Sequence, residues 1–97
     1  MQTRIIEFAE FTLLPGVTPE QLDAGIESSN RFLARCPGFV ARRTVRDGDR
    51  YADIAEWTDM KHALAAMEAA ESSPECAPFF ALLDMQNARM RHFEIVR

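Results

Sequence analysis

The sequence predicts an α+β fold in the order βαββαβ: a four-stranded antiparallel sheet with two main helices on one face and a short third helix. Three observations predict it: alternating apolar segments at both ends, two amphipathic helical segments, and a hairpin between them. Two βαβ units with right-handed crossovers, joined by a hairpin, make the split βαβ or ferredoxin-like arrangement. The length of 97 residues suits one such domain over residues 1–97 and leaves no room for a second.

The first strand and helix have clear boundaries. Residues 3–14 alternate as a strand does and carry apolar side chains on both faces, and Pro15-Gly16 ends the strand. Thr18-Pro19-Glu20-Gln21 then combines a hydroxyl N-cap, a proline at the first helical position and a glutamine that closes a capping box. Cys36-Pro37-Gly38 ends the helix, because proline cannot continue it and glycine accepts the positive φ of a tight exit.

A hairpin follows the first helix. Residues 39–46 and 50–58 are rich in β-branched and aromatic residues, as strands are. Asp47-Gly48-Asp49 between them has the composition of a tight hairpin turn. The two strands are therefore expected to pair antiparallel.

The last third of the chain completes the second βαβ unit. Asp59 is the expected N-cap of a helix whose apolar residues recur with a period of 3.6 and which ends near Ser72-Ser73. Pro74 opens a short third helix, and residues 89–96 alternate as a final strand.

The apolar pattern of the first strand also predicts a partner. Ile6 and Phe8 face away from the side that carries Ile5, Ala9 and Phe11, so both faces of this strand need cover. The helices of one chain cover only one face of the sheet. A homodimer whose two sheets pack face to face is the economical solution.

Charge and composition exclude several classes of protein. The net charge is −4 and the pI is about 5.1, which disfavours binding to nucleic acid or to anionic membranes. No apolar run reaches membrane-spanning length, and Arg4, Glu7 and Glu10 interrupt the segment in which a signal peptide would need its apolar core. Cys36 and Cys76 lack metal-ligand spacing and are expected to be free thiols, so a cytoplasmic location is predicted.

Motifs for bound cofactors are also lacking. There is no glycine-rich phosphate loop, no dinucleotide fingerprint and no zinc motif, so no cofactor and no metal are expected. Four arginines surround the hairpin, and they are interpreted as solvated strand residues that discourage edge-to-edge aggregation, rather than as an anion site: Arg42, Arg43, Arg46 and Arg50.

At this point the residues resemble the antibiotic-biosynthesis-monooxygenase-like members of the dimeric α/β-barrel superfamily. The resemblance spans most of the chain and rests on Leu-Pro-Gly at 14–16, Pro-Gly-Phe at 37–39 and Glu-Trp-Thr-Asp at 56–59, with a Ser-Pro and Phe-Phe segment after the second helix. It implies a dimeric barrel. The superfamily includes cofactor-independent oxygenases of aromatic compounds, haem-degrading enzymes, lactone isomerases and proteins without an established activity.

The resemblance also implies a pocket between sheet and helices. The oxygenases of this family have a polar side chain and a tryptophan four residues apart on one strand, and Asp53 and Trp57 have that spacing here. Strand alternation puts Tyr51 on the same face, so the three side chains can meet one ligand. The family's polar residue is usually an amide. The carboxylate of Asp53 departs from that pattern, although it can itself act as a base.

Further residues complete the candidate site. His92, on the last strand, is a second candidate for the catalytic base in addition to Asp53. Phe8, Phe79 and Arg43 are candidate substrate-binding residues, with Arg43 or Arg91 stabilising an anion. The structural alternatives are a salt bridge from Arg43 or Arg91 to Asp53, a partly exposed strand histidine at position 92, and a tryptophan that fills the core.

The functional hypothesis is a cofactor-independent monooxygenase that acts on a small phenol or quinol-like substrate. The alternatives are a non-catalytic ligand-binding or dimerisation domain, and an isomerase of a small lactone or enol. Haem degradation is disfavoured because Phe8, Ala66-Met67 and Cys76 to Phe80 stand where that branch has its asparagine, tryptophan and histidine.

Overall fold

The computed structural model describes residues 3–97 and has the predicted order of elements. Its strands are β1 (Ile5–Phe11), β2 (Phe39–Asp47), β3 (Arg50–Trp57) and β4 (Arg89–Glu94), and its helices are α1 (Pro19–Ala34), α2 (Met60–Ala70) and α3 (Ala77–Phe80). A single 3-10 turn, Met85–Asn87, leads into β4. Within residues 3–97, no helix has both the length and the apolar character that a membrane crossing requires.

The four strands form one antiparallel sheet in the order β2-β3-β1-β4. This order is that of the split βαβ fold, because α1 and α2 each carry the chain across a neighbouring strand. The predicted α+β, ferredoxin-like fold is therefore confirmed. The first strand is shorter than predicted: it ends at Phe11, and Leu13 forms only an isolated bridge to Leu83.

Local signals set the helix ends as expected. Gln21 N–H donates to the Thr18 hydroxyl at 3.1 Å, and the Gln21 side chain accepts from Thr18 N–H at 2.9 Å, which is a complete capping box. The Asp59 carboxylate accepts from His62 N–H at 2.9 Å and caps α2. Gly38 has φ +81° where the chain leaves α1, a conformation that favours glycine.

Two buried clusters lie between the sheet and the helices. One contains Ile5, Ala55, Trp57, Ala63 and Ala66 and joins the ends of β1 and β3 to α2. The other contains Phe11, Leu22, Phe79 and Leu83 and joins the opposite ends of these strands to α1 and α3. Because α3 is only four residues long, the helical layer does not cover the sheet evenly. The space between the two clusters is the site described below.

The other face of the sheet has no helical cover. Ile6, Phe8 and Ile54 point to this face, and Phe8 makes an edge-to-face contact with Phe93 with 6.5 Å between ring centroids. Phe93 remains 41% exposed, and the Arg91 guanidinium lies 4.9 Å from its ring centroid. This apolar surface is hereafter called the open sheet face.

Candidate functional site

A cavity of about 530 Å³ lies between the sheet and the helices, a size that suits a small organic ligand. Its floor is formed by Ala9 and Ala55, whose small side chains leave space above the two central strands. Large apolar side chains make most of its walls: Phe11, Phe32, Leu33, Trp57, Met67, Phe79, Phe80 and Leu83. Its charged and hydroxyl lining residues are Glu7, Glu10, Ser29, Arg42, Asp53, Glu71 and Arg89.

Asp53 lines the cavity, but its carboxylate is already fully engaged. Arg42 Nη2 donates to Oδ2 at 2.7 Å, and the Thr44 hydroxyl donates to Oδ1 at 2.6 Å. The Arg42 and Asp53 side chains are only 6% and 14% exposed, so the two charges must compensate each other. A substrate proton would have to compete with these two donors or use a remaining lone pair of the carboxylate.

Arg42 is a site residue, and its interpretation from the sequence as a solvated strand residue is wrong, because its side chain is only 6% exposed. Besides Asp53 it donates to Ser29 Oγ at 2.6 Å and to Asn30 Oδ1 at 2.9 Å, and its guanidinium carbon lies 5.0 Å from the centroid of the Phe79 ring. The hairpin register could have found it. Thr44 lies opposite Asp53, so Arg42, two residues along, shares their face.

Three residues predicted for the site lie elsewhere. Arg43 and Arg91 were suggested as partners of Asp53. They lie instead on the open sheet face, where Arg43 is opposite Ile54 and Arg91 is opposite Phe8. The structure therefore corrects the assignment of Phe8 and Arg43 as substrate-binding residues. The reason is the two-residue alternation of a strand: a shift by one position carries a side chain to the opposite face of the sheet.

Tyr51 shares the face of Asp53 but stands outside the main cavity. Its ring stacks on Phe11 at 5.5 Å and 11°, and it lines a second, smaller cavity of about 300 Å³ together with Thr44 and Arg46. The structure thus brings Asp53, Trp57 and Phe79 to one cavity and places Tyr51 at its neighbour.

Trp57 combines burial with an unused hydrogen-bond donor. The residue is 1% exposed, lines the cavity and packs edge-to-face on Phe39 with 5.5 Å between ring centroids. Its indole Nε1 is buried and has no hydrogen-bond partner within residues 3–97. Buried donors are nearly always paired, so this indole N–H is an unsatisfied donor, and its burial closes it off from the cavity surface.

His92 approaches the cavity through Glu7. The His92 Nε2 atom lies 2.9 Å from Glu7 Oε2, and both side chains are 15% exposed. Glu7, and not His92, lines the cavity. Sequence reasoning missed Glu7, although its position between Ile5 and Ala9 on the apolar face of β1 marks it as an inward-facing carboxylate.

The two cysteines of the chain are not joined to each other. Cys36 and Cys76 are both free, and burial raises the pKa of each thiol. Cys76 lines the cavity, where its protonated form adds to the apolar wall. In the part of the chain that the structure describes, no three His, Cys, Asp or Glu side chains are grouped as a metal site would need.

Solved structures with this fold were found by comparison. SnoaB, a cofactor-independent oxygenase from Streptomyces nogalater, is 23% identical with a TM-score of 0.78 over 97% of this chain and 94% of that one. The "putative antibiotic biosynthesis monooxygenase" of Bordetella bronchiseptica is 17% identical, with a TM-score of 0.81 over 99% of this chain and 100% of that one. A dimeric ferredoxin-like protein of unknown function from Thermobifida fusca is 17% identical, with a TM-score of 0.76 over 98% and 93%.

Comparisons of sequence alone found no relative of the chain. No protein-family model matches the chain, and a search of curated proteins found no match. The structural matches nevertheless cover almost the whole chain, and they confirm the resemblance drawn from the sequence: the chain has the fold of the antibiotic-biosynthesis-monooxygenase-like proteins. At these identities the likeness concerns the fold, and the function has to be argued from the site.

Proposed function

We propose that this protein is a cofactor-independent monooxygenase that acts on a small phenol or quinol-like aromatic in the cavity between sheet and helices. One observation carries the proposal. Asp53 and Trp57, four residues apart on β3, both line an apolar cavity of about 530 Å³ in a fold shared with a cofactor-independent oxygenase. A flat apolar ligand would gain from contact with the aromatic walls, which include the Trp57 ring.

The chemistry follows from the walls and the few polar groups. A bound phenol or enol that loses its acidic proton becomes an electron-rich anion, and such an anion reacts with dioxygen directly. When a ring CH₂ becomes C=O, one oxygen atom enters the product and the other leaves as water, and the substrate supplies all four electrons. The Arg42 guanidinium in the cavity wall, whose charge Asp53 compensates in part, is the group that would favour this anion.

We further infer that the protein is a homodimer joined through the open sheet face. Phe8 and Phe93 form an apolar surface there that water would otherwise contact, and burial of such a surface drives association. The Thermobifida fusca neighbour is a dimeric protein with the same fold. A cytoplasmic location and the lack of a nucleic-acid partner stay predictions of the sequence.

The experiment uses Trp57 as the reporter, since it is the sole tryptophan. Its fluorescence is followed against phenols, anthrones and quinones, and oxygen uptake is then measured without added cofactor for each compound that binds. Saturable quenching with oxygen uptake supports a monooxygenase. Tyr51→Phe is the control, because this hydroxyl belongs to the smaller cavity and its loss should leave binding unchanged.

A non-catalytic ligand-binding role is the second candidate. The observation in its favour is that both oxygens of Asp53 are occupied by Arg42 and Thr44, so this carboxylate is held as a structural partner. Saturable quenching by several aromatics without oxygen uptake by any of them would favour this role. An isomerase would convert its substrate equally well in the absence of oxygen.

A further inference from the structure

We propose that Glu7 is the proton acceptor of the cavity, that His92 is its positioning residue, and that the ligand is a flat hydroxy-aromatic with its O–H toward Glu7 and its opposite edge toward Arg42. This inference rests on the proposed function, since it names the acid-base group and the substrate class of that same site. The base is then Glu7 and not Asp53, and His92 acts only through its contact with Glu7.

The register of the sheet places the relevant groups in one row. Arg42 lies opposite Ala55, Ala55 lies opposite Glu7, and Glu7 lies opposite His92, so the row crosses all four strands on the helix-facing side. Neighbouring strands are about 4.8 Å apart, which puts Arg42 and Glu7 roughly 10 Å apart at the backbone. Between them is only the methyl group of Ala55, so a flat ring system can lie across it.

The two ends of the row differ in charge, because Arg42 is compensated by Asp53 at one end and Glu7 faces His92 at the other. At one end the Arg42 guanidinium is 6% exposed and is held by Asp53 and Ser29. At the other end the Glu7 carboxylate is 15% exposed and faces the cavity. A ligand in this field is favoured when its acidic proton is near Glu7 and its electron-rich edge is near Arg42, because each charge then meets its complement.

Glu7 is freer to accept a proton than Asp53. Its Oε2 takes the contact with His92, whereas Oε1 has no hydrogen-bond partner within residues 3–97 and is not sealed from the cavity and solvent. Both oxygens of Asp53 are occupied by protein donors. A proton can therefore reach Glu7 at an oxygen that has no protein donor, whereas each oxygen of Asp53 already accepts a hydrogen bond.

His92 holds Glu7 in place. It lies on the outer strand β4, opposite Glu7, with Nε2 2.9 Å from Oε2, where the N–H of the Nε2 tautomer donates to the carboxylate. A base is effective only when a second group fixes its orientation, as the orienting partner does in other acid-base pairs. Because His92 does not line the cavity, its part is to position Glu7.

The proton transfer balances without a further reactant. The O–H bond of the bound phenol breaks, its proton forms a new bond to Glu7 Oε1, and the electron pair stays on the aromatic oxygen as a phenolate. The row then holds a neutral Glu7 beside the phenolate, with Arg42 at the far edge of the ring. Oxidation by dioxygen is a later step and belongs to the proposed function.

The test uses 4-nitrophenol, whose phenol and phenolate forms absorb at different wavelengths, with 4-nitroanisole as the analogue that lacks the O–H. Binding is measured by Trp57 fluorescence, and the absorbance of the bound probe gives its phenol-to-phenolate ratio at one pH. Before the proton is transferred, a Glu7 side chain that accepts the O–H favours the neutral phenol over the phenolate, so the ratio of the bound probe reports this contact. Glu7→Gln should shift the ratio about tenfold toward phenolate, the effect of one charge interaction of moderate strength.

The matched control is Glu94→Gln. Glu94 is an exposed carboxylate on the same face of β4, opposite Ile5, and it does not line the cavity. The Glu94→Gln substitution removes the same charge as Glu7→Gln. An equal shift of the phenol-to-phenolate ratio in these two variants would reflect net charge alone and would overturn the proposal. The affinity for 4-nitroanisole should be unchanged in both.

The possible outcomes separate this inference from the proposed function. Failure of 4-nitrophenol to quench Trp57 in the wild type overturns this inference, and failure of all the phenols, anthrones and quinones overturns the proposed function as well. Binding of 4-nitrophenol with an unchanged ratio in Glu7→Gln overturns the role of Glu7 alone. For His92, the ratio should shift toward phenolate in His92→Leu and recover in His92→Gln, which keeps a donor; a shift without recovery would overturn the positioning role.

Discussion

Arg42 and Asp53 form a buried ion pair, with Nη2 and Oδ2 2.7 Å apart and both side chains largely removed from water. The pair joins the two strands of the hairpin beneath the cavity, and Thr44 completes the hydrogen bonds of the carboxylate. Each partner therefore makes the burial of the other tolerable.

Removal of one partner should be costly. We expect Asp53→Ala to lower the free energy of unfolding by about 3 kcal/mol, because it leaves the Arg42 cation buried without its counter-charge. Urea denaturation measures the change. Glu56→Ala is the matched control, since it breaks the more exposed Arg4–Glu56 pair and should cost about 0–1 kcal/mol. Equal losses in the two variants would contradict the structural role of the buried pair.

Gly38 should not tolerate a side chain. Its φ is +81°, and an added Cβ would lie 2.6 Å from the His62 side chain, so Gly38→Ala combines backbone strain with a clash. The control is Gly48→Ala, at φ +63° with open space around it, which should cost only the left-handed backbone strain of about 1–2 kcal/mol. Thermal unfolding should show the larger loss for Gly38→Ala, and the reverse order would refute the packing argument.

A larger side chain on the cavity floor should block ligands. Ala9 lies at the centre of the floor, and Ala9→Leu would fill the space above the sheet. We expect at least a tenfold loss of affinity for any aromatic that quenches Trp57, since the ligand and the new side chain compete for one volume. Ala65→Leu, on an exposed position of α2, is the control. Unchanged binding in Ala9→Leu would mean that the ligand binds elsewhere.

Charge on the open sheet face should separate the dimer. Phe8→Lys places a cation in the apolar surface that includes Phe93, and the cost of burying it in an interface opposes association. Analytical ultracentrifugation should show a dimer for the wild type and a monomer for this variant at the same concentration. Val96→Lys, at a residue 93% exposed, should leave the assembly as it is. A Phe8→Lys variant that stays dimeric would place the interface on another surface.

Stability should depend on the ionisation of Asp59. The His62 backbone N–H, followed by the His62 side chain, lowers the pKa of Asp59 below its ordinary value. A carboxyl whose pKa is lower in the folded state stabilises the fold above its ordinary pKa, and this contribution is lost as the pH falls through the folded value. Asp59→Asn keeps a good N-cap but cannot titrate.

Urea midpoints of the wild type and Asp59→Asn, measured from neutral pH down to pH values below the ordinary range of aspartate, test this dependence. The advantage of the wild type should shrink as the acid end is approached. An advantage that is constant over this range would show that ionisation of Asp59 does not stabilise α2.

The fold was predictable because its signals are local in the chain. The capping box at residues 18–21 and the Asp47-Gly48-Asp49 turn each act over a few residues, and both are present as expected. Alternation along β3 likewise predicted that Asp53 and Trp57 share a face. The short α3 and the 3-10 turn before β4 lack such periodicity: the third helix was predicted to start at Pro74 but spans Ala77–Phe80, and the 3-10 turn was not predicted.

The sequence by itself determined the elements, their order and the face of β3 that carries the candidate site, because propensity, capping and alternation depend on neighbours in the chain. Only the tertiary structure decided which charges meet. Arg42 rather than Arg43 pairs with Asp53, since the hairpin register sets the face, and His92 meets Glu7 because sheet order makes β1 and β4 neighbours although 85 positions separate the two residues. Contacts of that kind follow from strand pairing and burial, and the local sequence carries no record of them.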